Sequence, residues 1–180
     1  LKYGTQFGGL INFVLKEPPN KKIDAVIRNT IGSNNQYTNF TSIGGKKNKF
    51  SFYTFYNHKR GDGFRNNSNY KSNNVYVHLK QNLSNKSELS GEVTYMNYLA
   101  KQAGGLSDRM FINNPMQSNR SRNWFELDWL LYNFKFKHRF NEKTNLSFSL
   151  FGLDAERNTV GFRTNSCLLY TSPSPRDSAL

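Results

Sequence analysis

Acidic residues that could do catalytic chemistry are isolated along this chain of 180 residues. Asp62, Asp108 and Asp128 have no partner in the sequence that would form a carboxylate pair, and no nucleophile lies next to a candidate base. The stretch Gly61-Asp62-Gly63 lacks the further acidic residues of a calcium loop. The sequence therefore indicates no enzyme.

Histidine and cysteine positions do not indicate a metal site either. His58, His78 and His138 lie far apart on predicted strands and lack the spacing of zinc ligands. Cys167 is the single cysteine, so it cannot form an intrachain disulfide. We expect no metal and no cofactor bound as part of the protein.

The formal net charge is +13, and aromatic residues make up 15% of the chain. Basic residues interleaved with aromatic residues are typical of proteins that bind single-stranded nucleic acid. Here the basic residues are scattered along the chain, which favours turns and polar strand faces instead. We therefore expect no nucleic-acid partner, and a secreted basic β-sheet protein that binds glycan or nucleic acid stays as an alternative.

Hydropathy and composition together favour a transmembrane β-barrel. Mean hydropathy is −0.74 and only 36% of residues are hydrophobic, which leaves little material for a large conventional core. Strands of such barrels need only one apolar face, so low mean hydropathy with many aromatic residues fits them. The sequence contains no apolar run of the roughly 20 residues that a transmembrane helix needs.

Alternation of apolar and polar residues predicts seven strands. Residues 75–83 alternate most cleanly, with Val75, Val77 and Leu79 on one face and Tyr76, His78 and Lys80 on the other. The third strand carries aromatic residues on both faces, so its orientation stays open. The predicted strands cover residues 23–31, 37–43, 49–57, 75–83, 89–95, 124–140 and 146–150.

The predicted connections fall into two groups by length. Tight returns at residues 44–48, 84–87 and 141–144 alternate with three other connections. Two of these three are long, a polar loop at 58–70 and a structureless stretch at 101–123, and the third is a turn at 32–35. Short turns at one end and long loops at the other are typical of outer-membrane barrels. We therefore predict an all-β protein, part of a large antiparallel transmembrane β-barrel with about seven strands in an open sheet.

The opening stretch combines Tyr-Gly with a later Gly-Gly-x-Ile-Asn and a lysine just before the first predicted barrel strand. The residues of this pattern are Tyr3, Gly4, Gly8, Gly9, Ile11, Asn12 and Lys16. The pattern resembles the signature at the end of the plug domain of TonB-dependent outer-membrane receptors. We interpret the two adjacent glycines as packing residues in a tight bend, not as a phosphate cradle.

This resemblance implies an organisation for the whole chain. Residues 1–19 would be the C-terminal end of the plug, including a last strand over residues 10–15, and residues 20–166 the N-terminal part of the barrel. Residues 167–180 resemble the translation of a sequencing adapter, so we expect them to be artefactual. The chain would then be truncated at both ends.

A second resemblance concerns residues 103–125, which look like a segment of ferric citrate type receptors. It implies a barrel of about 22 strands filled by a plug, in the outer membrane of a Gram-negative bacterium. It also implies uptake of a ferric chelate, with iron carried only as cargo and with energy from the TonB complex, reached through residues upstream of this chain. Lipid and lipopolysaccharide would surround the barrel. Receptors of the same fold import other cargo, including glycans, peptides and cobalamin, and these stay as alternatives.

For a negatively charged ferric chelate, guanidinium and amide groups are the useful donors, because arginine binds carboxylates in a bidentate manner. The candidates for ligand binding are Arg109, Arg120 and Arg122, with Gln117 and Asn123 as weaker donors. The alternative is that these side chains are solvated or pair with lipopolysaccharide.

Alternation of residues in the sixth strand predicts which of its two faces meets lipid. Its apolar stripe is Leu130, Tyr132, Phe134 and Phe136, whereas Lys135, Lys137 and Arg139 would point into the lumen.

Overall fold

A computed structural model describes Gly8 and residues 14–161. Seven antiparallel strands form one sheet in which each strand pairs with its neighbours in the chain. One short helix, α1, covers Asp108–Asn113. The strands are β1 Asp24–Ile31, β2 Tyr37–Lys47, β3 Phe50–Gly61, β4 Tyr70–Asn82, β5 Ser87–Lys101, β6 Trp124–Arg139 and β7 Asn145–Val160.

The register gives the sheet two different faces, because successive side chains of a strand point to opposite sides. We call the first the apolar face; it includes Ile27, Ile43, Phe52, Leu79, Val93, Phe134 and Leu150. We call the second the polar face; it includes Asp24, Tyr53, Tyr76, His78, Lys80, Glu92 and Lys135. The predicted alternation on the first, fourth and fifth strands is confirmed.

The orientation of the third strand is settled by its pairing. Tyr53 lies opposite His78, and Phe55 lies opposite Tyr76, so these two aromatic residues belong to the polar face. Phe50 and Phe52 belong to the apolar face. Pairing with two neighbours fixes an orientation that alternation within a single strand left open.

Several strands are longer than the sequence predicts. The polar loop predicted at 58–70 begins only after Gly61, and Tyr70 already belongs to β4. The seventh strand continues past residue 150 to Val160, since its backbone goes on pairing with β6 where its alternation weakens. Backbone hydrogen bonds to a neighbouring strand extend a strand without regard to side-chain pattern.

The tight return predicted at residues 44–48 exists, but its predicted position is wrong. Gly44 and Gly45 lie within β2, and the return is formed by residues 48–49, with Asn48 at a φ of 55°. The glycines are needed for close approach, because a Cβ on Gly44 would lie 2.7 Å from Cδ of Pro19.

The structureless stretch predicted at 101–123 is also wrong, because it contains α1. Ser107 caps this helix: its side-chain oxygen accepts a hydrogen bond from the backbone N–H of Met110 at 3.4 Å. Serine is among the preferred residues at this position because it satisfies a donor that the helix leaves open.

The predicted opening strand is described only in part. Val14 and Leu15 lie in a segment without regular secondary structure, so the described end of this strand prediction is wrong. Tyr3, Gly4, Gly9, Ile11 and Asn12 lie outside the described residues, as does the C-terminal tail from residue 162 onwards. The division into plug, barrel and tail stays a prediction.

The connections sort as predicted: those at one end of the sheet are all short, and two of the three at the other end are long. Residues 48–49, 83–86 and 140–144 make the connections at one end of the sheet, which we call the turn end. Residues 32–36, 62–69 and 102–123 make those at the other, the loop end. No helix among the described residues is long and apolar enough to cross a membrane.

The contact at Gly44 yields a prediction about stability. Gly44→Ala places a methyl group 2.7 Å from Pro19 and 3.0 Å from the carbonyl oxygen of Phe52. We expect a loss of about 1–3 kcal/mol in the free energy of unfolding of the full-length protein, as for other overpacked sites. Denaturant titration in lipid vesicles measures this loss. Gly105→Ala is the control, since a Cβ there meets nothing within 4 Å; equal stability of the two variants would contradict the prediction.

Candidate functional site

The longest connection, residues 102–123, is closed at its base by a backbone hydrogen bond. The N–H of Gln102 donates to the carbonyl of Asn123 at 2.9 Å. The N–H of Asn66, in the preceding loop of residues 62–69, donates to the carbonyl of Met116 at 3.2 Å and ties the two loops together. The long loop is therefore an organised structure at the loop end.

Arg65 holds the two loops together through its side chain. Its Nε and one terminal nitrogen donate to the carbonyl of Gln117 at 3.1 and 2.9 Å, and the same terminal nitrogen lies 3.5 Å from the carbonyl of Ala103. Ala103 is 8% exposed. The guanidinium thus joins both limbs of the long loop, and each bond is strengthened by its charge.

Asn67 makes a second bridge between the same loops. Its side-chain nitrogen donates to the carbonyls of Gln102 and Asn123, each at 3.2 Å, and also to the carbonyl of Arg120. Its φ of 56° lies in the left-handed region, which asparagine tolerates better than most residues. The side-chain amide of Asn67 therefore links the loop of residues 62–69 to three backbone carbonyls of the long loop.

The shortest loop of this end, residues 32–36, joins the same network. The side-chain nitrogen of Asn35 donates to Oδ2 of Asp62 at 2.5 Å, and the N–H of Asp62 donates to the carbonyl of Asn34 at 2.8 Å. Hydrogen bonds therefore connect all three loops of the loop end, giving a supported surface there.

The predicted ligand-binding residues all lie in the long loop, but they differ in their surroundings. Arg109 and Arg122 are exposed. Arg120 is half-buried and donates to the carbonyl of Asn119 at 3.0 Å. Gln117 donates to the carbonyl of Met110 at 2.6 Å, and the carbonyl of Asn123 accepts from Gln102 and Asn67. The two exposed arginines are thus the better placed for a ligand, and the other three carry contacts within the loops.

Sequence reasoning missed the residues that hold this surface together. Arg65 and Asn67 lie in what alternation marked only as a polar loop with an asparagine cluster. Neither residue type nor spacing shows that their side chains reach carbonyls more than thirty residues away. The one available signal was the asparagine content itself, because asparagine favours left-handed turns.

The polar face carries the second candidate surface, in the half nearer the turn end. Tyr76 is 1% exposed and His78 is 3% exposed, although both lie on one face of a single sheet. Residues 14–19, a segment we call the strap, lie on the same face beside them. Lys16 of the strap lies over the ring of Tyr53, with Nζ 5.0 Å from the ring centroid, and Pro19 packs on Gly44.

A chain of alternating charges connects the strap to the sheet. Glu17 lies 3.6 Å from Nζ of Lys80, which also lies 3.0 Å from Glu88, and Glu88 lies 3.4 Å from Lys137. Lys135 pairs separately with Glu92 at 3.5 Å. Because positive and negative side chains alternate across β4, β5 and β6, each charge in this network lies next to one of opposite sign.

The sixth strand has the two faces that alternation predicts. Lys135, Lys137 and Arg139 lie on the polar face, and Leu130, Tyr132, Phe134 and Phe136 lie on the apolar face. Among the described residues, no group of three or more histidine, cysteine, aspartate and glutamate side chains could hold a metal ion.

A single open sheet with one apolar face, one charged face and connections sorted by length is the architecture of a section of a large antiparallel β-barrel. Comparison with solved structures supports this class. The chain is similar to the ferric citrate transporter FecA in its unliganded form, with a TM-score of 0.74 and 20% sequence identity.

That likeness covers 88% of this chain and 25% of the transporter chain, so this chain spans about a quarter of the length of that protein. At this identity the likeness shows the fold. No protein-family model matches the chain. No curated protein matches it either.

The role of Arg65 can be tested by hydrogen exchange. Arg65→Ala removes the charge-assisted bonds to Gln117 and Ala103, each worth about 1.5–3 kcal/mol. We expect backbone amides of the long loop, including that of Asn119, to exchange at least about tenfold faster in the full-length protein. Arg122→Ala is the matched control, since this arginine is exposed in the same loop. Unchanged exchange in the Arg65 variant would show that other bonds support the loop.

Proposed function

We propose that this chain is part of an outer-membrane TonB-dependent receptor that imports a ferric chelate such as iron dicitrate. The observation that carries the proposal is the combination of a two-faced open sheet with sorted connections, in a fold shared with a section of a ferric citrate transporter. The resemblance of residues 3–16 to the end of a plug domain supports the same receptor class.

The two faces support a position in a membrane. Side chains of the apolar face are exposed although they are large and hydrophobic, as at Leu79 (46%), Phe134 (47%) and Phe148 (61%). An exposed apolar surface of this extent calls for a covering medium. Acyl chains of a bilayer provide one, while the polar face would surround a lumen.

Exposed cations at the loop end support an anionic cargo. Arg109 and Arg122 project from a loop that Arg65 and Asn67 fix in place. Prior fixing of the loop lowers the entropy that ligand binding would otherwise cost. In the proposed receptor these two arginines bind carboxylates of the chelate at the outer mouth of the barrel, and Arg120, Gln117 and Asn123 complete the surface.

Site-specific labelling tests the membrane position. In a cysteine-free full-length receptor, a cysteine introduced at position 134 should react with a lipid-soluble probe and a cysteine at position 135 with a water-soluble maleimide. The reason is that Phe134 and Lys135 lie on opposite faces of β6. Labelling of position 135 from lipid but not of position 134 would reverse the assignment of faces. Solubility without detergent, with salt-sensitive binding to single-stranded DNA, would support the alternative of a secreted basic protein.

Binding measurements test the cargo. Arg109→Gln and Arg122→Gln should each weaken binding of ferric dicitrate to the full-length receptor by about tenfold or more, as expected for loss of a charge-assisted hydrogen bond. Isothermal titration measures the change. Lys143→Gln is the control, because Lys143 lies in the connection between β6 and β7 at the turn end. Tight binding that neither substitution weakens would exclude these arginines. No binding of ferric dicitrate at all would favour a receptor of the same fold for another cargo.

A further inference from the structure

Two cations of the apolar face, Arg60 and Lys71, lie opposite each other at the loop end. We propose that they bind the phosphate of an anionic lipid headgroup. This inference rests on the proposed position of the protein in a membrane. It adds a lipid site on the outside of the sheet, separate from the arginines of the long loop.

The pairing of these two residues is unfavourable as it stands. Arg60 of β3 and Lys71 of β4 are direct partners in the register, so their side chains leave the sheet side by side on one face. Like charges at directly opposite positions destabilise a sheet. Among the described residues neither cation has a carboxylate within 4 Å, whereas lysines of the polar face such as Lys80 and Lys135 do. A bound anion would remove this repulsion.

Arg60 is held in position by an aromatic ring. Its guanidinium carbon lies 5.7 Å from the ring centroid of Tyr37, on the neighbouring strand. A stacked guanidinium keeps its N–H groups free at the edge of the plane, where they can donate to a phosphate.

From the pair of Arg60 and Lys71 toward the turn end, the side chains of the apolar face change from polar to apolar, as expected at a membrane surface. Moving along β3 and β4 toward the turn end, the apolar face presents His58 and Asn73, joined by a 2.8 Å hydrogen bond. Next come Tyr56 and Val75, with the Tyr56 hydroxyl donating to Asn73 at 2.9 Å. Thr54 and Val77 follow, and after them come the larger apolar residues Phe52 and Leu79. Apolar side chains, then amphipathic ones, then cations correspond to acyl chains, interface and headgroups.

A cleft beside Arg60 offers room for a headgroup. It has a volume of about 540 Å³ and lies between the loops of residues 32–36 and 62–69, with Tyr37, Arg60 and Tyr70 in its wall. Asp62 also lines this cleft, but its carboxylate accepts a hydrogen bond from Asn35. The aromatic rings suit the non-ionic part of a headgroup, and the arginine suits its phosphate.

The site is confined to β3 and β4. On the same face of β6, Glu126 and Asp128 occupy the loop end, and both accept hydrogen bonds from Asn97. Glu126 lies in the same lateral row as Lys71 but two strands away, about 10 Å at the usual strand spacing. The carboxylates are thus too distant to pair with Lys71, and they would repel phosphate from the neighbouring strands.

The test uses the full-length receptor in vesicles of a zwitterionic lipid, with or without phosphatidic acid. Retention of phosphatidic acid is measured as co-purified lipid after mild detergent extraction. Arg60→Gln with Lys71→Gln should weaken retention about thirtyfold, given the usual contribution of each basic residue at an anionic surface. The control is Arg28→Gln with Lys59→Gln, which removes the same charge from the polar face, where Arg28 stacks on Phe40 as Arg60 does on Tyr37.

Each outcome decides the proposal. Loss of retention in the first double variant alone supports it. Equal loss in both double variants would mean a response to net charge, and unchanged retention in the first would mean no site; either result overturns it. Displacement of the lipid by inorganic phosphate at equal concentration would identify a soluble-anion site and overturn the lipid assignment. A receptor that inserts in vesicles but fails this test leaves the proposed transport function standing, whereas a chain that stays soluble without detergent contradicts both.

Discussion

Hydrogen bonding between neighbouring strands is the interaction on which this structure depends, because a single sheet has no second layer to pack against. Among the described residues only Tyr53, Tyr76, Ala100 and Ala103 are buried hydrophobic side chains. A conventional domain of this size would bury a much larger core. Stability must therefore come from the continuous ladder β1 to β7 and from whatever medium covers the apolar face.

This dependence on the ladder makes register decisive. A slip of one residue between two strands would move every side chain of a strand to the opposite face. The ion pairs of the polar face, such as Lys80 with Glu88 and Lys135 with Glu92, would be lost in such a slip, because the two partners would then lie on opposite faces. The aromatic and aliphatic residues of the apolar face specify the same register independently. Two criteria that agree give the sheet one arrangement, which is a requirement for a protein without a large core.

The two ends of the sheet are organised by different means. At the turn end the strap lies on the polar face through Lys16, Glu17 and Pro19. At the loop end a few side chains, chiefly Arg65 and Asn67, satisfy backbone carbonyls of the long loop. Only the second device satisfies backbone polar groups, which irregular backbone needs wherever it is withdrawn from water. Their positions leave Arg109 and Arg122 exposed at the outer surface of the loop end.

Local pattern was enough to establish the number of strands, the two faces of most strands and the sorting of connections, because alternation and turn residues act over a few positions. Features that depend on distant partners were decided only by the folded chain. Gly44 and Gly45 look like a turn in the sequence, yet they lie within β2, because they pair with Tyr53 and Phe52 of β3. Arg65 looks like one more loop cation, yet it binds carbonyls near residues 103 and 117. Alternation specifies which way a side chain points, but contacts between distant segments arise only when the whole sheet brings those segments together.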